Sequence, residues 1–183
     1  MENIKSFFEK EKISFDISRL FKNYNQKIAV MCYAENEENE ILMLERIKEP
    51  FAGKLVPPGG KVEKNEDIIQ AIKREFLEET GFILNDLTLK VFTSEEGPEH
   101  YNWILFIFLG KINKQKLNYC NEGILKWVKK DKLLEENLTN IDKQIIPYLY
   151  EKEGIYYIEI NYDENKNAKI LNIEKYQKNI MRL

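Results

Sequence analysis

The sequence predicts a layered α+β or α/β domain in which helices cover a mixed sheet. Three observations favour this class. Short apolar, β-branched runs recur along the chain, a long helical repeat separates two groups of them, and one run, WILFIFL at 103–109, is apolar throughout. A strand without polar alternation is typical of the centre of a sheet that is covered on both faces. The composition, with 43% hydrophobic and 32% charged residues over 183 positions, is that of an ordinary folded domain.

The first 26 residues precede these strands and have a pattern of their own. Ile4, Phe7 and Phe8, and then a second apolar group at 15–21, recur at roughly helical spacing. We therefore predict an N-terminal helical extension at 1–26, made of one or two amphipathic helices. We expect it to pack on the core or on a dimer partner and to carry no catalytic residue.

The next segment predicts an antiparallel strand pair followed by a long helix. Apolar runs at 28–34 and 40–46 are separated by a polar stretch that is typical of a turn. After the loop signal PPGG at 57–60, a helical repeat extends from Asn65 to residue 80. Asn65 is the expected N-cap of this helix, and Gly81 is its expected C-cap.

The remaining chain predicts further strands, two helices and a terminal hairpin. Strands are predicted at 87–93, 103–109 and 124–128, helices at 130–136 and 139–152, and hairpin strands at 155–160 and 168–173. Pro147 is expected to start or kink a helix, because its ring removes a backbone N–H. We place the main domain at 27–176, with the hairpin inside it, and a C-terminal tail at 177–183.

Charge and cysteine content bound the partners and the compartment. The formal net charge is −3, so we expect no non-specific binding to nucleic acid or to an anionic membrane. A small-molecule nucleotide can still bind if metal ions supply positive charge. The chain has no apolar run of membrane-spanning length and no signal-peptide pattern, and Cys32 and Cys120 belong to no C-x-x-C pair. We therefore predict a cytoplasmic protein, a monomer or a homodimer, with two buried thiols.

Three glutamates share one face of the predicted long helix. At about 100° per residue, Glu75, Glu78 and Glu79 fall within one sector, beside an apolar stripe that includes Ile72 and Phe76. Crowded carboxylates on a partly buried face repel one another unless cations are present. An oxygen-only cluster suits Mg²⁺ or Mn²⁺ rather than Zn²⁺. A solvated acidic surface is the alternative that the helix alone leaves open.

The glycine pair ahead of the helix favours the metal site. Gly59 and Gly60 allow the backbone to approach a ligand closely, and a loop carbonyl there can reach an ion held by the helix. Lys61 is a candidate phosphate contact, with solvation of the loop as the alternative. Tyr101, Trp103 and Trp127 are candidates for stacking on a base, with core packing as the alternative.

The same stretch resembles the Nudix box, G-x5-E-x7-R-E-U-x-E-E-x-G-U, where U is a bulky aliphatic or aromatic residue. All nine specified positions match, namely Gly60, Glu66, Arg74, Glu75, Phe76, Glu78, Glu79, Gly81 and Phe82. The segment CNEG at 120–123 and the terminal hairpin are similar to the bacterial MutT/MutX-like branch of 8-oxo-dGTP diphosphatases. The resemblance covers about residues 27–176 and leaves 1–26 unmatched.

This resemblance implies an α/β/α sandwich with a loop–helix–loop metal site. Glu75, Glu78 and Glu79 would hold Mg²⁺, with Mn²⁺ as a substitute, and the Gly59 carbonyl would be a backbone ligand. Glu122 would add a ligand or a base, with an exposed loop acid as the alternative.

The resemblance also implies roles for the residues around these ligands. Arg74 would orient Glu75 through a charge-assisted hydrogen bond, and Glu66 would support the loop. The substrate would contact the segment formed by Gly59, Gly60 and Lys61.

The implied reaction is the hydrolysis of a nucleoside triphosphate to a monophosphate and pyrophosphate, with an oxidised, 8-oxo-dGTP-like nucleotide as one candidate substrate. Glu79 or Glu122 would take the proton from water. Two other hypotheses stay open. One is a Nudix hydrolase for ADP-ribose, a nucleotide sugar, a dinucleoside polyphosphate or a capped RNA end. The other is a non-catalytic nucleotide-binding module, which we would expect to lack some of the box glutamates that this chain keeps.

Overall fold

Nine strands form one mixed sheet in the computed structural model, which describes residues 2–49 and 51–178. In chain order the elements are α1 (Glu2–Lys10), a first 3₁₀ helix (Ile17–Leu20), β1 (Lys27–Glu35), β2 (Glu40–Arg46), β3 (Leu55–Val56), β4 (Gly59–Lys61), α2 (Ile68–Thr80), β5 (Asn85–Glu96), β6 (Trp103–Lys111), β7 (Gly123–Lys129), a second 3₁₀ helix (Lys130–Glu135), α3 (Asn140–Leu149), β8 (Ile155–Tyr162) and β9 (Ala168–Tyr176). The predicted class, with helices on a mixed sheet, is confirmed.

The order of the strands places β4 beside the centre of the sheet. The order is β3-β2-β1-β6-β5-β8-β9, with β4 also pairing with β1 and β7 with β2. The β1–β6 and β5–β8 pairs are parallel. The predicted antiparallel pairing of β1 with β2 is confirmed, but it is limited to Ala34–Leu42 and Glu35–Ile41. Nearer the start of β1, its neighbour is β4, so the glycine pair lies next to a buried strand.

Two apolar layers cover the faces of the sheet, because side chains alternate along each strand. On β1, Val30 and Cys32 belong to the layer under α1 and α2, whereas Ala29 and Tyr33 belong to the layer under α3. The apolar run of β6 divides in the same way between the two layers. β6 is therefore the central strand, covered on both faces, that its sequence predicted.

The N-terminal segment is part of one of these layers. Phe7 and Phe8 of α1 are buried, and their rings lie 5.3 Å from Phe106 and 5.0 Å from Phe92, respectively. Residues 2–26 therefore pack against the sheet through their aromatic side chains. The division of the chain at residues 26 and 176 stays a prediction, and residues 179–183 of the predicted tail lie outside the described residues.

The long helix begins later than predicted. Its N-cap is Asp67, whose side chain accepts hydrogen bonds from the amides of Ile69 and Gln70, so the prediction of Asn65 as the cap was wrong. Asn65 instead has a φ of 67°, a left-handed conformation typical of a turn. The predicted C-cap is confirmed, because Gly81 is left-handed at φ 77° and its amide donates to the Leu77 carbonyl.

The elements after β7 also differ in detail from the prediction. The segment predicted as a helix at 130–136 is a 3₁₀ helix, and the following α-helix is capped by Thr139. Pro147 lies inside α3 near its end, so it does not start the helix, and its position leaves one backbone carbonyl of the preceding turn without its helical N–H donor. Among the helices described, none has the length and apolarity needed to cross a bilayer.

Candidate active site

The glycine pair forms β4, which lies antiparallel to β1. Gly60 pairs with Val30, and Gly59 pairs with Met31. Neither glycine has room for a side chain. A Cβ on Gly59 would collide with the Val30 carbonyl oxygen, and a Cβ on Gly60 would collide with the carboxylate of Glu75. The glycines therefore let α2 place a carboxylate directly against the backbone of β4.

Glu79 is the second carboxylate of α2 that reaches β4. The Gly59 amide donates a hydrogen bond of 2.8 Å to Glu79 Oε2. Burial raises the pKa of Glu79 to about 7, and the negative charges of Glu122 and Glu75 add to this effect, against the opposing influence of the Gly59 hydrogen bond. The site therefore holds a carboxyl group that exchanges a proton near neutral pH.

Arg74 links the loop to the helix. Its Nε and Nη2 donate to the two oxygens of Glu66 at 2.7 and 2.8 Å, and its Nη1 donates to Glu75 Oε1 at 2.8 Å. Weaker contacts reach Glu78 Oε2 at 3.2 Å and the Lys61 carbonyl at 3.1 Å. The bidentate bond lowers the pKa of Glu66. This geometry is consistent with the roles predicted for Arg74, which would orient Glu75, and for Glu66, which would brace the loop.

Glu122 reaches the cavity from a different element than the carboxylates of α2. It comes just before β7, whose first residue pairs with Arg46 at the end of β2. The Arg46 guanidinium lies 3.4 Å from Glu122 Oε2. The side chains of Glu122 and Glu78 are 51% and 62% exposed, and each is paired with an arginine, Glu122 with Arg46 and Glu78 with Arg74.

One cavity of about 620 Å³ brings most of the predicted site residues together. Its lining includes Gly59, Gly60, Lys61, Glu75, Glu79 and Glu122. Arg74 and Glu78 are absent from the lining, and Arg74 acts on the cavity through its bond to Glu75.

The residues of the cavity fit a divalent ion in chemistry. Within residues 2–49 and 51–178, no three acidic, cysteine or histidine side chains converge closely enough to form a ready-made ion site. The donor set is nevertheless hard, because Glu75, Glu79 and Glu122 present carboxylate oxygens to one space beside the β4 backbone. The negative charges of Glu75 and Glu122 disfavour the ionised form of Glu79, and the positive charge of Arg46 opposes this effect only in part.

The same cavity contains acidic residues for which no role was predicted. Glu95 of β5 and Asp142 in the first turn of α3 are buried and line it, as does Tyr162 of β8. Of the three candidates for base stacking, Tyr101 and Trp103 line it as well, whereas Trp127 packs against Phe82 in the core. An acidic residue that continues an apolar strand is a signal for Glu95, but the strand was predicted to end before it.

The chain is similar in sequence to known proteins of one family. The chain matches the family model described as NUDIX domain over residues 25–149, a range that contains β1 to α3 and all the box glutamates. An 8-oxo-dGTP diphosphatase from Buchnera aphidicola is 63% identical over 54 residues, 30% of this chain and 43% of the relative. An ADP-ribose pyrophosphatase from Methanocaldococcus jannaschii is 45% identical over 74 residues, 40% of this chain and 44% of the relative.

The match to solved structures extends over more of the chain. A MutT protein from Bacillus halodurans is similar with a TM-score of 0.66 at 28% identity, covering 81% of this chain and 97% of that one. By contrast, the chain spans less than half the length of the curated relatives with named substrates. Because the family model covers more than half of this chain and includes its glutamate helix, the chain belongs to the Nudix hydrolase family.

Proposed function

We propose that the protein is a Mg²⁺-dependent hydrolase that converts a nucleoside triphosphate to a monophosphate and pyrophosphate. An oxidised, 8-oxo-dGTP-like nucleotide is one candidate substrate. The observation that carries the proposal is the single cavity in which Glu75, Glu79 and Glu122 lie beside the glycine strand β4. The proposal includes a cytoplasmic location, a small-molecule substrate and a monomeric or homodimeric state.

The metal ligands in this proposal are Glu75, Glu78, Glu79 and Glu122, with the Gly59 carbonyl. A bound divalent ion would neutralise polyphosphate charge and polarise the phosphoryl oxygens. Mn²⁺ is an expected substitute, because it accepts the same oxygen ligands. Glu78 and Glu122 would complete the site by exchanging their exposed arginine contacts for the ion, since exposed ion pairs contribute little stability.

The protein's own groups have separate tasks in the reaction. Water attacks a phosphorus atom of the diphosphate link, the P–O bond to the leaving pyrophosphate breaks, and a carboxylate takes the water proton. Glu79 suits the last task in position, because the Gly59 amide holds its Oε2 beside β4 in the cavity where substrate and water would meet. Glu122 is the other candidate base. Arg74 is a positioning residue that holds Glu75, and Lys61 lines the cavity where phosphate would lie.

A nucleotide panel tests the proposal. The protein would be incubated with Mg²⁺ and with GTP, 8-oxo-dGTP, ATP, ADP-ribose and a nucleotide sugar, and pyrophosphate, orthophosphate and the nucleotide product would be measured. We expect monophosphate and pyrophosphate from a triphosphate, and no turnover in EDTA.

Each other result contradicts the proposal in a different way. Preferential cleavage of ADP-ribose, the substrate named for the M. jannaschii relative, would show that the substrate is a different diphosphate compound and not a nucleoside triphosphate. Tight nucleotide binding without any turnover would indicate a binding module. Full activity in EDTA would exclude the metal-dependent mechanism.

A further inference from the structure

Glu95 lies in the same cavity as the glutamate cluster, but well away from it. Gly59 pairs with Met31 of β1. Four residues back along β1, Lys27 pairs with Trp103 of β6, and Trp103 pairs with Glu95 on its other side. Four residues of strand span about 13 Å. A group held at the β4 end of the cavity and a group held at Glu95 are therefore about 13 Å apart along the strands and three strand spacings apart across the sheet. A nucleoside is too short for this separation, whereas an extended nucleoside triphosphate is long enough.

The Glu95 carboxyl is only partly satisfied by the protein. The side chain is 3% exposed, Oε1 accepts a hydrogen bond of 2.9 Å from Thr93 Oγ1, and Oε2 accepts one of 3.1 Å from the Tyr162 hydroxyl. No lysine, arginine or histidine of the described chain forms an ion pair with it. Each carboxylate oxygen can accept about two hydrogen bonds. One position therefore remains on each oxygen, in a residue that lines the cavity.

The surroundings of Glu95 suit a flat ring with hydrogen-bond donors. The Tyr101 and Tyr162 rings lie 4.7 Å apart, and Phe51 meets Tyr101 at 6.2 Å. Asp142, another buried carboxyl, also lines this part of the molecule and accepts a hydrogen bond of 3.1 Å from Tyr33. Two buried carboxyl groups would repel phosphate and attract N–H donors. The phosphates of a substrate therefore belong at the β4 end, and its base belongs at Glu95.

We propose that Glu95 is a specificity-determining residue, whose two oxygens accept the adjacent N1–H and exocyclic N–H donors of a guanine-type base. The inference rests on the proposed function and names the base. Guanine and 8-oxoguanine present two neighbouring donors on this edge, hypoxanthine presents one, and adenine presents a donor beside an acceptor. A carboxylate matches the first edge best. Tyr162 lies beyond the range of the family match, so this carboxylate is held by a part of the chain that the family model does not include.

Equilibrium binding of GMP, IMP and AMP tests the assignment without metal or turnover. Trp103 lines the cavity and provides a fluorescence signal. The measurement is made at about pH 8.5, where Glu95 is ionised, since burial raises its pKa to about 7. We expect the native protein to bind GMP at least about tenfold more tightly than IMP, because a site built for a donor rejects the analogue that lacks it.

Two variants and a control complete the test. Glu95→Gln, which replaces one acceptor with a donor, is expected to bring the IMP-to-GMP ratio of Kd to within about twofold. Glu164→Gln changes an exposed glutamate of the adjoining hairpin turn and is expected to leave the ratio unchanged. If thermal melting shows that Glu95→Gln is unfolded, Tyr162→Phe takes its place. It keeps the carboxylate but removes one bond that fixes it, and is expected to lower the ratio.

The outcomes separate this inference from the proposed function. Equal binding of GMP and IMP by the native protein, or an unchanged ratio in the folded Glu95 variant, would overturn the assignment of Glu95. Guanine-selective binding that Glu95→Gln abolishes would support it, even if the nucleotide panel showed no hydrolysis. Selective binding without hydrolysis would contradict the proposed reaction, but not the assignment of Glu95.

Discussion

Three influences determine the pKa of the Glu79 carboxyl group. It is largely enclosed, two neighbouring carboxylates repel its charge, and one backbone amide from β4 stabilises that charge. The result is a pKa of about 7 in place of the ordinary 4.5. Positive charge brought into the cavity, as by a divalent ion, would favour the ionised form of this carboxyl group.

Replacing this carboxyl with an amide separates its chemical role from its structural one. Glu79→Gln keeps the size of the side chain and an oxygen for the Gly59 amide, but it cannot take a proton. We expect kcat to fall by about 10²- to 10⁴-fold, with a melting temperature that is unchanged or higher, because repulsion with Glu75 and Glu122 is relieved. Steady-state kinetics and thermal melting of the same preparation measure both effects.

A matched pair of variants shows which carboxylate is the base. Glu122→Gln tests the other candidate, and Glu153→Gln, at an exposed glutamate outside the cavity, should retain native turnover. Native kcat in Glu79→Gln would exclude Glu79 as the base. A larger loss in Glu122→Gln than in Glu79→Gln would assign the proton transfer to Glu122.

The sequence predicted the position of site residues inside the Nudix box well, but it did not predict site residues outside the box. The spacing of the glutamates on α2 predicts a shared face, and α2 indeed directs Glu75 and Glu79 to β4. Glu95 could not be found in this way. Glu95 is buried because β6, β8 and α3 pack around it, and these long-range contacts have no signature in the sequence near Glu95.

The start of α2 shows how local signals compete at the level of an element. Asn65 and Asp67 are both good caps by residue type. The left-handed turn at Asn65 delays the helix until Asp67, which caps the amides of Ile69 and Gln70 and also pairs with Lys10 of α1 at 3.1 Å. The start of a helix depends on the conformation of the residues that precede it, and tertiary contacts determine that conformation.

Removing the cap tests this assignment. Asp67→Ala is expected to lower the free energy of unfolding by about 1 kcal/mol, because two amides at the start of α2 lose their acceptor. Asp67→Asn keeps an acceptor and loses only an exposed ion pair, so it should cost less than the alanine variant. Urea denaturation compares the three proteins. No change in the alanine variant would indicate that the helix does not depend on this cap.

The molecule as a whole is held by two apolar layers, and the N-terminal segment contributes to one of them. Its Phe7 is 1% exposed and contacts Phe106 and Phe108 of the central strand. The helical spacing of this segment was visible in the sequence. Its contacts were not, because they join the first residues of the chain to a strand about a hundred positions later.

Truncation of one aromatic ring measures this contribution. Phe7→Ala is expected to destabilise the fold by about 3–5 kcal/mol, the usual range for removing a buried aromatic ring. Tyr24→Ala, at a side chain that is 97% exposed, is expected to change stability by less than about 0.5 kcal/mol. Chemical denaturation gives both values. An unfolding midpoint for Phe7→Ala equal to that of the native protein would show that the segment is an independent appendage.

The position of Tyr162 has a consequence for biosynthesis. This tyrosine belongs to β8, which joins the sheet in parallel beside β5 after α3 has crossed over. A nascent chain emerging from the ribosome presents the glutamate helix long before it presents this strand. Early intermediates can therefore bring the acidic side chains of α2 to β4 while the wall that holds Glu95 is still missing. If Glu95 selects the base as proposed, the pocket becomes selective only after β8 has been synthesised.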